Sequence, residues 1–235
     1  MGLDHGCQVF LRAQNFSEAQ SAIAKKPTNV SHEEAAAVGC AGLTAHRALM
    51  DIGRIKKNTS VVIIGGSGGV GSYAIQLAKA LGANVTAITS SNNTKFVKSL
   101  GADTVIDYKK EKFTDLVREQ DLVFDTIGRE SLKRCSKVLN RNGRYITTIP
   151  NPSNLFQSLF SQTLRFLRGG RGQTSHTVLV RANGEALAQI AAMLSSGKVR
   201  SIIDTVYPVS EAGRALEKSR SWRSRGKLIL RVCES

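Results

Sequence analysis

Gly66, Gly68 and Gly71 occupy the glycine positions of G-x-G-x-x-G inside the run Gly65-Gly66-Ser67-Gly68-Gly69-Val70-Gly71. The chemistry this spacing offers is pyrophosphate binding. One glycine makes a tight turn, the second brings backbone close to phosphate, and the third lets a helix pack on the strand before it. Gly66, Gly68 and Gly71 take those roles in that order. Amide groups at the helix start then face the anion, reinforced by the helix dipole.

Such a loop works only between a strand and a helix. Before it stands Val61–Ile64, four apolar residues of strand character; after it, Ala74, Ile75, Ala78 and Leu81 recur at helical spacing. Further along, strands are predicted over Asn84–Ile88, Thr104–Ile106, Leu122–Phe124, Arg144–Ile149, Thr177–Val180, Ile202–Val209 and Leu228–Val232. Helices are predicted between them over Thr94–Leu100, Phe113–Glu119, Ser131–Val138, Gly184–Leu194 and Ser210–Lys218, with Ser210 as a candidate N-cap. Ser31 and Glu34 form a capping-box pattern that starts a helix through Val38. Gly39 and Gly42 are expected to interrupt it, and a second helix over Leu43–Ile52 to end at Gly53 in the C′ position. Residues 16–23 read as a short strand, and residues 150–174 as a packing helix in preference to a mobile lid. Alternating strands and helices imply an α/β fold: a doubly wound parallel Rossmann sheet with helices on both faces.

The end of the second strand selects the dinucleotide. An Asp or Glu there would bond the ribose 2′-hydroxyl of NAD. Here the chain reads Thr89-Ser90-Ser91-Asn92-Asn93-Thr94-Lys95, with no carboxylate to repel a 2′-phosphate. NADP(H) is therefore the expected cofactor. Ser90 is the first candidate for its 2′-phosphate and Lys95 or Lys98 the second. Tyr108 follows the third strand, where it is either an adenosine contact or a surface tyrosine. Thr126 and Gly128, after the fourth strand, are candidate lining of the cofactor channel, and Asp125 is a candidate turn residue.

Composition narrows the alternatives. The chain has 235 residues, a formal net charge of +15 and 41% hydrophobic residues, enough for one large domain or one domain with an appendage. No membrane span and no signal or transit peptide is evident, which leaves a cytoplasmic or mitochondrial compartment open. Cys7, Cys40, Cys135 and Cys233 are far apart, and His5, His32, His46 and His176 show no ligand spacing, so neither disulfides nor a metal are expected. The C-terminal basic group, Arg214 to Arg231, contains Trp222 as its single aromatic residue. Nucleic-acid binding is disfavoured without stacking platforms, and steering of an anionic cofactor is the simpler use of the charge.

Three segments carry a family resemblance: EEAAAVGCAGLTAHRAL, VVIIGGSGGVGSYAIQLAKALGANVTAITSS and LGADTVIDY, continued by GKVRSIIDTVYPVSEAGRALEKSRSWRSRGKLILRV. Together they resemble the zinc-independent quinone-oxidoreductase branch of the medium-chain dehydrogenase/reductase superfamily. The resemblance covers roughly residues 17–235 and is weakest over 150–174. It implies hydride transfer from NADPH to a quinone or activated alkene, a small-molecule substrate, and no catalytic metal. A homodimer is a further expectation. By motif, Ser67, Gly69, Val70, Ser90 and Tyr108 resemble NADP contacts, and Thr147–Ile149 the strand beside the nicotinamide. A basic residue near the final RGK also approaches the cofactor in such proteins, and Arg220, Arg223 and Arg225 are equal candidates. The resemblance divides the chain into three: 1–38, a remnant of a GroES-like catalytic barrel domain; 39–200, the NADP-binding Rossmann domain; and 201–235, a segment that normally returns to the barrel. No acid or base catalyst is nominated. A binding module with little catalysis is the alternative reading.

Overall fold

A computed structural model describes residues 21–149, 152–167 and 169–232. Its centre is a six-stranded, fully parallel sheet: β1 (Ser60–Ile64), β2 (Asn84–Thr89), β3 (Thr104–Asp107), β4 (Gln120–Asp125), β5 (Leu139–Thr147) and β6 (Thr174–Thr177), in spatial order 3-2-1-4-5-6. The side on which successive strands are added reverses between β1 and β4, which opens a crevice at their carboxyl ends.

Register aligns those ends. Ile64 of β1 lies opposite Ile88 and Asp125, Thr89 opposite Asp107, and Asp125 opposite Thr147. The glycine loop, Ser90, Tyr108, Thr126 and Thr148 therefore leave the sheet along one edge.

Alternation along β1 builds two cores. Val61 and Ile63 pack with Tyr73, Ile75 and Leu77 of α2 (Gly69–Ala80), Leu49, and Ile190 of α7 (Gly184–Ser195). Val62 and Ile64 face the other way, onto Phe113 of α4 (Phe113–Leu116), Cys135 of α5 (Leu132–Cys135), Val123 and Tyr145. Burial of each large side chain stabilises the sheet by roughly 1.5–3 kcal/mol. Helices thus cover both faces, as the alternating pattern predicts.

Some expectations need correction. Gly39 and Gly42 do not interrupt the first helix: α1 (His32–His46) passes through both and continues as a π-helical segment, Arg47–Ile52. A Cβ at Gly42 would lie 2.9 Å from Val38 Cγ1, one turn earlier in α1, and in ordinary contact, 3.5 Å, with Ile190 Cδ1 of α7. The Ser31 capping box is present in both directions. Gly53 caps the π-helical segment with ordinary right-handed φ, and the left-handed turn falls on Arg54 (φ 50°). Gly53 is instead required by closeness, since a Cβ would sit 2.7 Å from Ala48 O.

The helices predicted over 113–119 and 131–138 are single turns. β5 begins at Leu139 and ends at Thr147, before Ile149. β6 is Thr174–Thr177 in place of Thr177–Val180. Its buried residues are small and polar: Thr174 and Ser175 are covered by α6 (Pro152–Leu167), and the Ser175 amide donates to Ser161 Oγ at 3.0 Å. A search for apolar runs overlooks such a strand. α6 is helical, as preferred over a lid. Ser210 is not an N-cap; it lies in a short 3₁₀ turn before α8 (Ala212–Arg220). α3 (Thr94–Ser99) completes the helices. Most of the strand expected over 16–23 lies outside the described residues, and Ser21–Ile23 form no strand.

β7 (Ile203–Pro208) and β8 (Lys227–Arg231) pair in parallel as a separate two-stranded sheet bridged by α8. Arg231 reaches Glu33 of α1 at 2.8 Å, and Ser201 Oγ donates to Glu34 O at 2.7 Å. Gln76 of α2 bonds Arg200 through both amide atoms, at 2.9 and 3.1 Å. These contacts hold the C-terminal unit against the first two helices. Among the described residues, no helix is long and apolar enough to cross a membrane.

Candidate functional site

The loop after β1 is built by three different demands on glycine. Gly65, not Gly66, makes the tight turn: its φ is +81°, and its carbonyl accepts the Gly68 amide at 3.1 Å. Gly66 has ordinary φ and is constrained by packing, since a Cβ would lie 3.0 Å from Ile75 Cδ1 and 3.3 Å from Ala87 Cβ. Gly71 seats α2 on the turn, where a Cβ would lie 2.1 Å from Gly65 O. Gly68 differs from these. A Cβ there would meet only Gly65 O, at 3.5 Å, so its outer side is open.

Gly68 is also the N-cap of α2 and supplies no side chain to cap it. The Ser72 amide takes the Gly68 carbonyl at 2.9 Å, so the amides of Gly69, Val70 and Gly71 have no partner within the helix. An open backbone cradle at an uncapped helix start fits a pyrophosphate.

The adenosine end is tied to this loop through Ser67. Its Oγ accepts from Thr89 Oγ1 at 3.2 Å and from Asn93 Nδ2 at 3.1 Å, and the same Asn93 nitrogen lies 3.4 Å from Ser90 Oγ. Ser90, the first-ranked 2′-phosphate candidate, is thus in the cluster. Lys95 and Lys98 are exposed on α3, and among the described residues no contact links them to Ser90. Tyr108 is 53% exposed, and its amide donates to Thr89 O at 3.1 Å, which fixes its backbone beside β2. A carboxylate does stand one strand away. Asp107 accepts from Ser91 Oγ and the Lys109 amide, and the Ser91 hydroxyl, its main stabiliser, holds its pKa below the usual carboxylate value.

The final RGK distinguishes the three arginine candidates. Arg225 Nε donates to Asn93 Oδ1 at 2.8 Å, its Nη2 to Asn92 O at 2.9 Å, and its guanidinium lies 5.9 Å from the centre of the Phe96 ring. Arg220 and Arg223 are exposed and lack such links among the described residues. Gly226 (φ +77°) then crosses the phosphate loop: its amide donates to Ser67 O at 3.0 Å, and it pairs with Gly68 in an isolated parallel bridge. Lys227 lays its aliphatic stem over Gly69, where a Cβ would lie 2.7 Å from Lys227 Cδ. Asn93 and Lys227, which no motif singled out, lie against these candidates, Asn93 against Ser67, Ser90 and Arg225 and Lys227 against Gly69. For Lys227 the signal was its position directly after Arg225-Gly226.

Asp204 anchors this hook, accepting the Arg225 amide at 3.0 Å and Lys218 Nζ at 2.7 Å. Its burial alone would raise its pKa, but the bonds from Lys218 and the Arg225 amide outweigh it and hold it low.

At the other end of the crevice, Thr126 Oγ1 donates to Ile64 O at 2.8 Å and supports the turn beneath Gly65. Gly128 (φ +77°) lies against Ile149. Thr147 is buried and accepts the Ile149 amide at 3.3 Å, and Ile149 is exposed. Asp125 is the turn-maker. It is fully buried and accepts the amides of Ile127, Gly128 and Glu130 at 2.8–2.9 Å, plus Tyr145 OH at 3.0 Å. Burial pushes Tyr145 well above an ordinary phenol and the Cys135 thiol up to about 12, so both stay protonated and structural at neutral pH. Cys7, Cys233 and His5 lie outside the described residues. Among those described, no group of three or more His, Cys, Asp or Glu could hold a metal ion.

A parallel 3-2-1-4-5-6 sheet with its glycine loop at the point of reversal defines a dinucleotide-binding domain of the Rossmann class. Residues 100–230 match the family described as "Zinc-binding dehydrogenase", and residues 37–132 match "Alanine dehydrogenase/PNT, C-terminal domain". The chain belongs to the first of these, within the quinone-oxidoreductase branch of the medium-chain dehydrogenase/reductase superfamily. It is 31% identical to "NAD(P)H oxidoreductase RTN4IP1, mitochondrial" of Danio rerio, over 90% of this chain and 60% of that protein. It is 33% identical to a zinc-type alcohol dehydrogenase-like protein of Schizosaccharomyces pombe, over 97% of this chain and 70% of the relative. Among solved structures, the quinone oxidoreductase from Coxiella burnetii superposes with a TM-score of 0.76 at 30% identity, covering 89% of this chain and 63% of that one. The chain thus spans about three fifths of the length of the zebrafish and Coxiella proteins.

Proposed function

We propose that this chain binds NADP(H) and serves an oxidoreductase of the quinone-reductase type, which reduces a quinone or an activated alkene. The observation that carries the reading is the open Gly68 cradle beside a β2 end that carries no carboxylate of its own and on which Arg225 is held. The names of the relatives, an NAD(P)H oxidoreductase and a quinone oxidoreductase, support the reaction class. When bound, the cofactor supplies the hydride chemistry.

The residues of the chain bind and orient. The α2 amides and Gly68 hold the pyrophosphate. Ser90 and Arg225 meet the 2′-phosphate, Arg225 by charge-assisted bonds. Tyr108 borders the adenosine. Thr126 and Gly128 line the channel, and the Thr147–Ile149 segment flanks the nicotinamide. We further assign residues 39–200 as the cofactor domain, with 1–38 and 201–235 belonging to the catalytic part. A homodimer and a cytoplasmic or mitochondrial location complete the proposal.

The test is NADPH oxidation monitored with a simple benzoquinone and with an enone, after binding has been measured. Turnover supports the reading. Binding without turnover supports the alternative, an NADPH-binding module with a regulatory or scaffold role. Absence of binding overturns both.

A further inference from the structure

One cleft, lined by none of the residues assigned to the cofactor, lies between α5, the start of β5 and α6. From Ser131 to Gly184 the sequence contains no Asp or Glu, and it contains nine Lys or Arg. Much of the net charge of +15 is therefore concentrated in one segment. That segment folds as α5, β5, α6 and β6. Of its cations, Arg134 and Lys137 pair with Glu130 and Asp115, while Lys133, Arg141 and Arg171 line one cleft together.

Within it, α6 has two unlike faces. Ser161 turns inward, buried and bonded to the Ser175 amide of β6. Leu159, Phe160, Phe166 and Leu167 turn outward, 72%, 60%, 84% and 74% exposed. Positions 159, 160, 166 and 167 fall on one helical stripe at i, i+1, i+7 and i+8. The apolar stripe and the cations are contiguous. Phe160 and Leu164 line a cleft of about 850 Å³ whose other walls include Lys133, Arg141 and Arg171, with no acidic residue. Lys133 and Arg141 come from α5 and the start of β5, so the rim does not depend on α6 alone.

An acid-free basic rim beside projecting leucine and phenylalanine side chains is the composition of a helix that lies in a lipid–water interface. The apolar stripe enters the acyl boundary, and the guanidinium and ammonium groups meet anionic headgroups. We propose that α6 and the Lys133–Arg141–Arg171 rim dock this chain peripherally on an anionic phospholipid surface. Charge complementarity selects that occupant: a neutral apolar partner would leave three cations facing it unpaired. The inference does not rest on the cofactor reading.

The test is co-sedimentation of the full chain with vesicles of phosphatidylcholine containing phosphatidylserine, against vesicles of phosphatidylcholine alone. Binding to the anionic vesicles, suppressed by high salt, is expected. The triple variant Lys133→Gln, Arg141→Gln, Arg171→Gln should lose roughly 100-fold in partition, at about one surface charge's worth per residue. Phe166→Ser with Leu167→Ser should also release the protein from vesicles, with an unchanged circular dichroism melt. A control at the distant C-terminal group, Arg214→Gln with Arg220→Gln, should bind as wild type. Equal binding to neutral vesicles, no binding at all, or equal loss in the control pair would overturn the proposal. So would light scattering showing that the stripe is covered by a second copy whose dissociation Phe166→Ser with Leu167→Ser causes, with vesicle binding unaffected.

Discussion

Four glycines in one loop carry four separate constraints, and they predict different phenotypes. Gly68→Ala adds a methyl group that touches nothing closer than 3.5 Å within the chain. Its melting temperature should stay within a degree or two of wild type while NADPH binding is lost, because the methyl occupies the phosphate cradle. Gly71→Ala places a methyl 2.1 Å from a carbonyl and should cost about 1–3 kcal/mol or more of stability, read by urea denaturation. A result in which both variants melt alike would contradict this division of roles. The loop was legible in the sequence because glycine spacing is a local code. Its inner assignment was not: Gly65 takes the positive φ and also lacks room for a Cβ, which would lie 2.6 Å from Thr126 Oγ1 and 2.7 Å from Ile127 Cγ1, in the turn after β4 about sixty residues away. Arg225 was similarly one of three equal candidates until Asn92 and Asn93 were seen to hold it.

The secondary-structure elements were readable where burial is apolar and caps are local. Ser31 and Glu34 announced α1, and each bonds the other's backbone amide. Ser31→Ala should therefore cost about 1 kcal/mol, measured by thermal or urea unfolding. The errors have a common origin in packing. Gly42 sits inside α1 in a packed environment, where a Cβ would crowd Val38, and β6 hides behind threonine and serine, with Ser161 bonding its Ser175 amide. The C-terminal hook adds a pH dependence. Asp204 has a lowered pKa in the folded chain, so its stabilisation is fully present above the ordinary carboxylate pKa of about 3.9 and is lost as pH falls through the lower folded value. Asp204→Asn should thus lower the melting temperature near neutrality, and the difference from wild type should close as the acid titration proceeds. A gap that persists unchanged to the lowest pH at which the chain folds would assign the effect to packing.

Across the molecule, the parts divide by work. The two cores and the buried Asp125 turn fix the carboxyl edge of the sheet; the β7–α8–β8 unit, pinned to α1 and α2, carries Arg225 and Gly226 back over the phosphate loop. The proposed nucleotide end of the site thus draws on segments about 160 residues apart, Ser67 and Arg225. Its class was visible from one motif and one missing carboxylate, whereas its closure by the C-terminal hook required the fold. The most direct test is a fluorescence titration of wild-type chain and Arg225→Ala with NADPH and with NADH. NADPH should bind the wild type more tightly than NADH, and Arg225→Ala should weaken NADPH roughly tenfold to a hundredfold while leaving NADH nearly unchanged. Equal or tighter binding of NADH by the wild type, or binding of neither, would contradict the account.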